Sequence, residues 1–259
     1  MTFSEMKLSN YEMEDGVYIV TKVNNEFENK YLRLRTTEKR VYPDEEVLKL
    51  PFASNSNSHK SEWDIREKSF LRFKNYLSKK NENLNILDLG CGNGWFAGQL
   101  SKEFDHNFFC VDVNLTELKQ GKRVFNSKSL KFIYANIFVI DSPTPFFDLI
   151  IINSAIQYFS ELHKLFAKLH QFLNDNGEIH IFDSPLYNEN QVSAAKQRSQ
   201  NYFSSIGFPE MTSNYFHHTY SELNGFNYRL LYTPHSIKNK FRKIFSGADS
   251  PFPWIIINK

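Results

Sequence analysis

Cysteine is scarce in this chain of 259 residues: there are two, Cys91 and Cys110, each inside an apolar, strand-like run. Two thiols placed like this make neither a disulfide framework nor the spacing of a zinc site, and they suit a reducing compartment. Cys91 and Cys110 are therefore expected as small buried apolar residues, and no metal site is expected. Charge of one sign is lacking too. Lys and Arg number 31 against 29 Asp and Glu, so no global field points to a nucleic acid or an acidic lipid surface. No apolar run approaches the ~20 residues of a bilayer span. The opening MTFSEMKLSNYEMEDG has no basic stretch followed by an apolar one, so the expectation is a cytoplasmic protein without a membrane span. Glycine is sparse, at ten residues, yet three of them fall within Gly90–Gly94.

What is present is aromatic and strongly patterned. Phe and Tyr number 25 and 13, which predicts an aromatic-rich core and aromatic pocket walls. The length allows one large α/β domain with additions. The polar stretch Ala53–His59 reads as a linker. Strand character precedes it at Val17–Val23, followed by a charged, aromatic piece over Tyr31–Tyr42. After it, Trp63, Phe70, Phe73 and Leu77 recur at helical spacing, predicting a helix over Ser61–Lys80 with Ser61 and Asp64 as its capping box. From Asn85 onward short apolar runs (Ile86–Leu89, Asn107–Val111, Leu130–Tyr134, Phe147–Ile152, Glu178–Phe182) alternate with helical stretches (Trp95–Phe104, Leu115–Val124, Glu161–Leu173). That rhythm implies a parallel sheet covered on both faces. A helix near Asn190–Ser205 and late strands near Asn227–Thr233 and Trp254–Asn258 complete a doubly wound α/β sheet of seven strands.

The densest signal is Ile86-Leu87-Asp88-Leu89-Gly90-Cys91-Gly92-Asn93-Gly94-Trp95. An apolar strand ends in an acid, three glycines alternate, and a helix begins. Glycines so spaced let the chain turn sharply and let a ligand rest against main-chain N–H groups at a helix start. A dinucleotide turn would need a third glycine where Trp95 stands, and Asp88 is ill suited to sit beside a pyrophosphate. The pattern favours a phosphate-free nucleoside with a cationic amino-acid end.

Asp88-Leu89-Gly90-Cys91-Gly92-Asn93-Gly94 resembles the first motif of the class I S-adenosylmethionine (SAM)-dependent methyltransferases, in the form typical of their small-molecule branch. The resemblance continues over Asn85–Asp183. Asp112, 22 residues after Gly90, matches the acid that binds the ribose hydroxyls, with Val113 beside it. Asn136 and Ile137 match the loop that meets the adenine amino group, with Asn where the family often has Asp. Asn153-Ser154-Ala155 follows the fourth strand, where substrate and methyl group meet. The resemblance implies SAM as cofactor, held by Asp88, Gly90, Cys91, Gly92, Gly94, Asp112, Val113, Asn136, Ile137 and Asn153, with Arg66 reaching its carboxylate. It also implies strand order 3-2-1-4-5-7-6 with the seventh antiparallel.

Methyl transfer from a sulfonium is an in-line displacement in which the protein mainly aligns the acceptor and excludes water. A base is needed only for a protonated, weakly nucleophilic acceptor. Family members often carry a His pair after the fourth strand; here Gln157 and Tyr158 stand there. Candidates for orienting the acceptor or taking its proton are Tyr158 and Asp183, and the base is otherwise not identified. His217 and His218 are adjacent and make a poor metal pair. No Pro-Pro-aromatic turn follows the fourth strand, and no acidic triad marks a metal-dependent catechol site. Residues 1–60 read as an N-terminal extension acting as a lid. Residues 61–259 read as the methyltransferase domain, with a substrate-covering insertion at about 187–225. The expected function is methyl transfer to oxygen or nitrogen of a small-molecule acceptor. The alternatives are an RNA or protein methyltransferase, favoured only by the basic run Lys238–Lys243, and a non-catalytic SAM-binding protein.

Overall fold

The apolar runs from Asn85 onward pair into one sheet. A computed structural model describes residues 8–80, 82–140, 144–234 and 249–259; the basic run Lys238–Lys243 lies outside the described residues. The described chain opens with strands β1 (Glu12–Glu14) and β2 (Val17–Ile19) and helices α1 (Asn25–Thr37), α2 (Asp44–Val47) and α3 (Lys60–Leu77). Strands β3 (Asn85–Leu89), β4 (Asn107–Asp112), β5 (Leu130–Tyr134), β6 (Phe147–Asn153) and β7 (Leu173–Phe182) follow. Helices α4 (Trp95–Leu100), α5 (Leu115–Val124) and α6 (Leu162–Phe172) alternate with them. Helix α7 (Glu189–Ser205) and strands β8 (Asn227–Tyr232) and β9 (Trp254–Asn258) close the chain.

The strand order is β1-β2-β5-β4-β3-β6-β7-β9-β8. Strands β5, β4, β3, β6 and β7 are parallel neighbours, and β9 runs antiparallel to both β7 and β8. This is the expected seven-strand order with two strands added. The β1–β2 hairpin extends the edge, where β2 pairs in parallel with β5 through Tyr18↔Ile133 and Ile19↔Tyr134. The strand read over Val17–Val23 ends at Ile19, and the charged piece from Tyr31 is the second half of α1.

Alternation along the strands divides the core. Ile86, Phe108, Leu149 and Ile151 face α3, α4 and α5, whereas Leu87, Phe109, Ile150 and Ile152 face α6. Both faces are buried, which is why these strands read as unbroken apolar runs. Several start signals are local. Asn114 Oδ1 caps α5 through the Glu117 amide at 3.0 Å, and Asn188 with Gln191 forms a capping box on α7. The capping box expected at Ser61 and Asp64 is absent: α3 begins at Lys60, one residue earlier, and Asp64 pairs with Lys60 within the helix. The segment before α3 reaches the core as well. Val17, Val47 and Leu50 are fully buried, and Gln99 Nε2 donates to the carbonyls of Leu48 and Leu50 at 2.8 and 2.6 Å. Helices α1 and α7, together with the turns after α7, meet in a separate small cluster of Leu34, Phe203, Phe208 and Met211. Among the described residues no helix is long and apolar enough to cross a membrane.

Candidate active site

At the carboxyl end of β3 the chain turns through Gly90, Gly92 and Gly94 at φ of +70°, +55° and +67°. Two of these positions have no room for a side chain. A Cβ on Gly90 would lie 2.6 Å from Ala155 Cβ, and one on Gly94 would lie 2.6 Å from the Phe132 ring. The turn is pinned to β4 by the Gly90 and Cys91 amides, which donate to Val111 O at 2.8 and 3.3 Å. Asp112 completes the hold. Its Oδ2 accepts from Gly92 N at 2.7 Å, and its Oδ1 accepts from the amides of Val113 and Asn114 at 2.7 and 2.9 Å.

These elements enclose a cavity of about 280 Å³ lined by Gly90, Gly92, Asp112, Val113, Asn136 and Ile137 among others. Phe27, Glu28 and Tyr31 of α1 cover it. The surroundings are acidic. Burial pushes Asp88 up to about 7, with Asp112 adding to the push against the opposing Ala97 amide. Burial also pushes Glu117 up to about 7, and Asp112 again adds while Arg35 pulls back. Asp112 is raised by burial despite its three main-chain donors, with Glu28 contributing. For Asp88 the displacement disfavours the ionised form by roughly 4 kcal/mol. Asp88 Oδ2 and Asn153 Oδ1 are both buried with no hydrogen-bond partner among the described residues. Carboxyls crowded beside an empty acceptor valence are relieved by a cation carrying N–H donors. The ammonium of SAM has that chemistry and its sulfonium adds a second positive charge, so these residues fit the cofactor.

A narrower space of about 100 Å³ adjoins the cavity, lined by Cys91, Gly92, Asn93, Glu117, Asn153 and Ser154 with three arginines. The arginines alternate with two glutamates. Arg35 meets Glu38 at 3.1 Å, Arg40 meets Glu38 at 3.6 Å and Glu62 at 2.6 Å, and Arg66 meets Glu62 at 2.7 Å. Burial alone would raise Glu62, but Arg40 and Arg66 hold it at about 2. The chain of three cations and two anions carries one surplus positive charge, only partly offset by Glu117 at about 7, and that surplus suits the carboxylate of an amino-acid moiety. Arg66 is aimed by its stack on Trp63, 4.9 Å from the ring centre, and by a 3.2 Å bond to Ser154 Oγ.

On the far side of Ser154 opens a third space, about 680 Å³, lined by Tyr158, Asp183, Arg198, Tyr215 and Phe252 among others. Ser154 lines all three spaces. Tyr158 stands in the wall between the first and the third, edge-on to Tyr31 at 5.9 Å and to Tyr215 at 6.0 Å. The strand ends here are strained. Ser154 follows β6 at φ +56° and Asp183 follows β7 at φ +46°. Left-handed backbone at a non-glycine residue costs roughly 1–3 kcal/mol and clusters at functional sites.

Of the expected site residues, Gly90, Gly92, Asp112, Val113, Asn136 and Ile137 line the first cavity, and Cys91, Asn153 and Arg66 line the narrow one. Asp88 and Gly94 do not line either; they support the turn from behind. Asn136 Oδ1 accepts the Phe138 amide at 3.1 Å, capping a short turn, which leaves one lone pair of that oxygen and the amide nitrogen for a base. The histidine pair divides: His217 Nε2 meets Ser199 Oγ at 2.8 Å, and His218 bridges Glu222 and Phe159 O at 3.0 and 2.8 Å. Among the described residues no cluster of three potential ligands could hold a metal. The residues missed are Phe27, Glu28, Arg35 and Arg40 from the N-terminal segment, together with Glu117. Only Glu117 had a local signal, its spacing from the α5 cap Asn114.

Residues 86–177 match the family described as a methyltransferase domain. Malonyl-acyl-carrier-protein O-methyltransferase of Priestia megaterium is 25% identical over 139 residues, covering 52% of this chain and 50% of that protein. The chain thus aligns with about half the length of that relative. Geranyl diphosphate methyltransferase, solved with SAM, shares the fold at a TM-score of 0.52 and 16% identity, covering 79% of this chain and 91% of that one. The plantazolicin methyltransferase BpumL, solved with S-adenosylhomocysteine (SAH) and a triazolic desmethylPZN analogue, does so at 0.51 and 19%, covering 88% and 98%.

Proposed function

We propose that this chain, which carries a class I SAM-dependent methyltransferase domain, transfers the SAM methyl group to oxygen or nitrogen of a small molecule seated beside Tyr158 and Asp183. One observation carries the reading: the cofactor-sized cavity and the 680 Å³ space meet at Ser154 and Tyr158, which line both. The similar folds bear the names of unrelated acceptors, malonyl groups, geranyl diphosphate and plantazolicin, so the acceptor has to be argued from the walls and not from the fold.

When bound, SAM supplies a methyl group already activated by its sulfonium. The residues then have three tasks. Asp112 offers its carboxylate to the ribose hydroxyls while holding the Gly92 amide, and Val113, Asn136 and Ile137 flank the base. Asn153 and the arginine chain ending in Arg66 take the amino-acid end, with the Asp88 carboxyl behind the turn. Tyr31, Tyr158 and Tyr215 wall the path from Ser154 and exclude water, which strengthens alignment and local electrostatics. We assign residues 1–60 as the cover of the cofactor side and residues 187–225 as the cover of the acceptor side. The mixed charges of the large space do not favour a polyanionic acceptor such as RNA.

Calorimetry with SAM, SAH and NAD tests the cofactor assignment, with SAH release from SAM plus a panel of small hydroxyl and amine acceptors as the second readout. Binding of SAM and SAH without NAD is expected, and turnover of at least one acceptor. Tight NAD binding with no SAM signal sinks the cofactor assignment, and tight SAM binding with no turnover sinks the transfer.

A further inference from the structure

Asp183 is the one carboxyl in the large space that is nearly enclosed and half unsatisfied. It is 6% exposed. Oδ1 accepts from Ser69 Oγ at 2.7 Å and Ser250 Oγ at 3.1 Å, whereas the buried Oδ2 has no hydrogen-bond partner among the described residues. Two hydroxyls on one oxygen fix the plane of the group and leave the other oxygen to a ligand. A purely structural carboxylate at a strand end would have both oxygens spoken for, as Asp148 does with Asn85 N and Asn174 Nδ2. Asp183 is also held at φ +46° on the strand beside Ser154, whose amide donates to Phe182 O at 3.0 Å. The two strained residues therefore stand side by side at the mouth shared with the cofactor.

We infer that Asp183 Oδ2 takes the acceptor's proton, so that the acceptor is a hydroxyl- or amine-bearing molecule with a flat apolar body against Tyr158, Tyr215 and Phe252. The assignment rests on the methyltransferase reading. In the step, a lone pair on the acceptor oxygen or nitrogen forms the new bond to the methyl carbon as the C–S bond breaks. The electron pair of that bond stays on sulfur, which becomes the neutral thioether of SAH. The acceptor's proton passes to Oδ2, giving a neutral carboxylic acid.

The groups facing Asp183 suit this task. Burial raises its affinity for a proton, while the charges of Arg66 and Arg72 and the hydroxyls of Ser69 and Ser250 oppose that rise and keep the ionised form available. Arg72 is itself paired with Asp249. His217 Nδ1 also has no hydrogen-bond partner among the described residues, but His217 stands behind Ser199 and does not line the space, and Tyr158, packed edge-on to two rings, is a phenol and not a carboxylate.

Two readouts on the full chain test the assignment, Asp183→Asn being the near-isosteric variant. Carboxyl ¹³C NMR of the SAH complex is expected to show one aspartate resonance, absent in D183N, that titrates above the ordinary value of about 4. With SAM and a panel of simple phenols, catechols and arylamines, D183N is expected to lower kcat by roughly 10²–10⁴-fold. KM and SAH affinity should stay within a few-fold, and the acid limb of the pH profile should vanish. An Asp183 resonance at or below the ordinary value overturns the assignment, as does turnover by D183N at the wild-type rate. Failure of SAH to bind the wild-type chain overturns the methyltransferase reading itself, which keeps the two failures distinct.

Discussion

The two sides of Ser154 are built by opposite means. The cofactor side is a main-chain structure with acids set behind it. Glycines at positive φ, amides tied to Val111 and Asp112, and carboxyls at Asp88, Asp112 and Glu117 all come from within 30 residues of β3 to α5. The acceptor side is a side-chain structure with no continuous segment of its own. Its walls come from α1, α3, the end of β6, the end of β7, α7 and the Pro251–Phe252 turn. Local amides and acids make a site that any member of a fold family can keep unchanged, because few backbone conformations satisfy it. Walls gathered from several segments can be exchanged one at a time without disturbing the sheet, which is why the proposed reading puts acceptor choice there.

Substitutions can break that division, and the largest effect is expected at the turn. Gly90→Ala meets both a left-handed backbone and Ala155 at 2.6 Å, with no flexible side chain to yield. SAH affinity should fall by more than about 100-fold, roughly 3 kcal/mol, with the circular dichroism spectrum retained. Calorimetry measures it, and near-normal affinity would show that the turn does not touch the ligand.

Next comes Asp112→Ala, which removes charge-assisted bonds to the ribose and frees the Gly92 amide. A loss on the order of 2–3 kcal/mol in SAH binding is expected. Acceptor KM should be unchanged at saturating SAM. An unaltered SAH affinity in the folded variant would place the ribose elsewhere.

Tyr215→Ala sharpens the comparison from the other side. Tyr215 lines the large space and not the cofactor cavity, so acceptor KM should rise about tenfold, some 1.4 kcal/mol, with SAH affinity held. Parallel loss of both would mean that the two sides are not separable.

The smallest effect expected is one of pH. Asp88 and Glu117 sit at about 7 without ligand, so below pH 7 they are mostly protonated and neutral. A cationic ligand favours their ionised forms, and binding at low pH has to expel protons. SAM affinity should therefore fall several-fold from pH 8 to pH 6, with protons released on binding near pH 7. Calorimetry in buffers of differing ionisation heat reads both. Proton uptake, or affinity rising as pH falls, would reverse the assigned electrostatics.

How much of this the sequence discloses follows the same division. The turn from Asp88 to Gly94, Asp112 and the alternation of β3 to β7 with helices were legible because each depends on neighbours within a strand and a helix, whereas the order of β3 to β9 came from the family resemblance. Buried strands read as apolar runs, and a second acid falls one helix and one strand after the first. The β1–β2 hairpin was not legible as part of the sheet, because three-residue strands carry too short an alternation to announce a partner. Arg35 and Arg40 escaped for another reason. Their role depends on α1 and α3 packing over the end of β6, a contact across about 90 residues or more, and an arginine two residues from a glutamate looks like any solvated face. The strain at Ser154 and Asp183 has no sequence signature at all, since both are common residues whose φ is set by the strands they end.

The most direct measurement is a crystal structure of the SAH complex. The account predicts ribose hydroxyls bonded to Asp112, the amino-acid end between Asn153 and Arg66, and the sulfur facing Ser154 toward Tyr158 and Asp183. A sulfur turned away from that opening, or a ribose out of reach of Asp112, would contradict it.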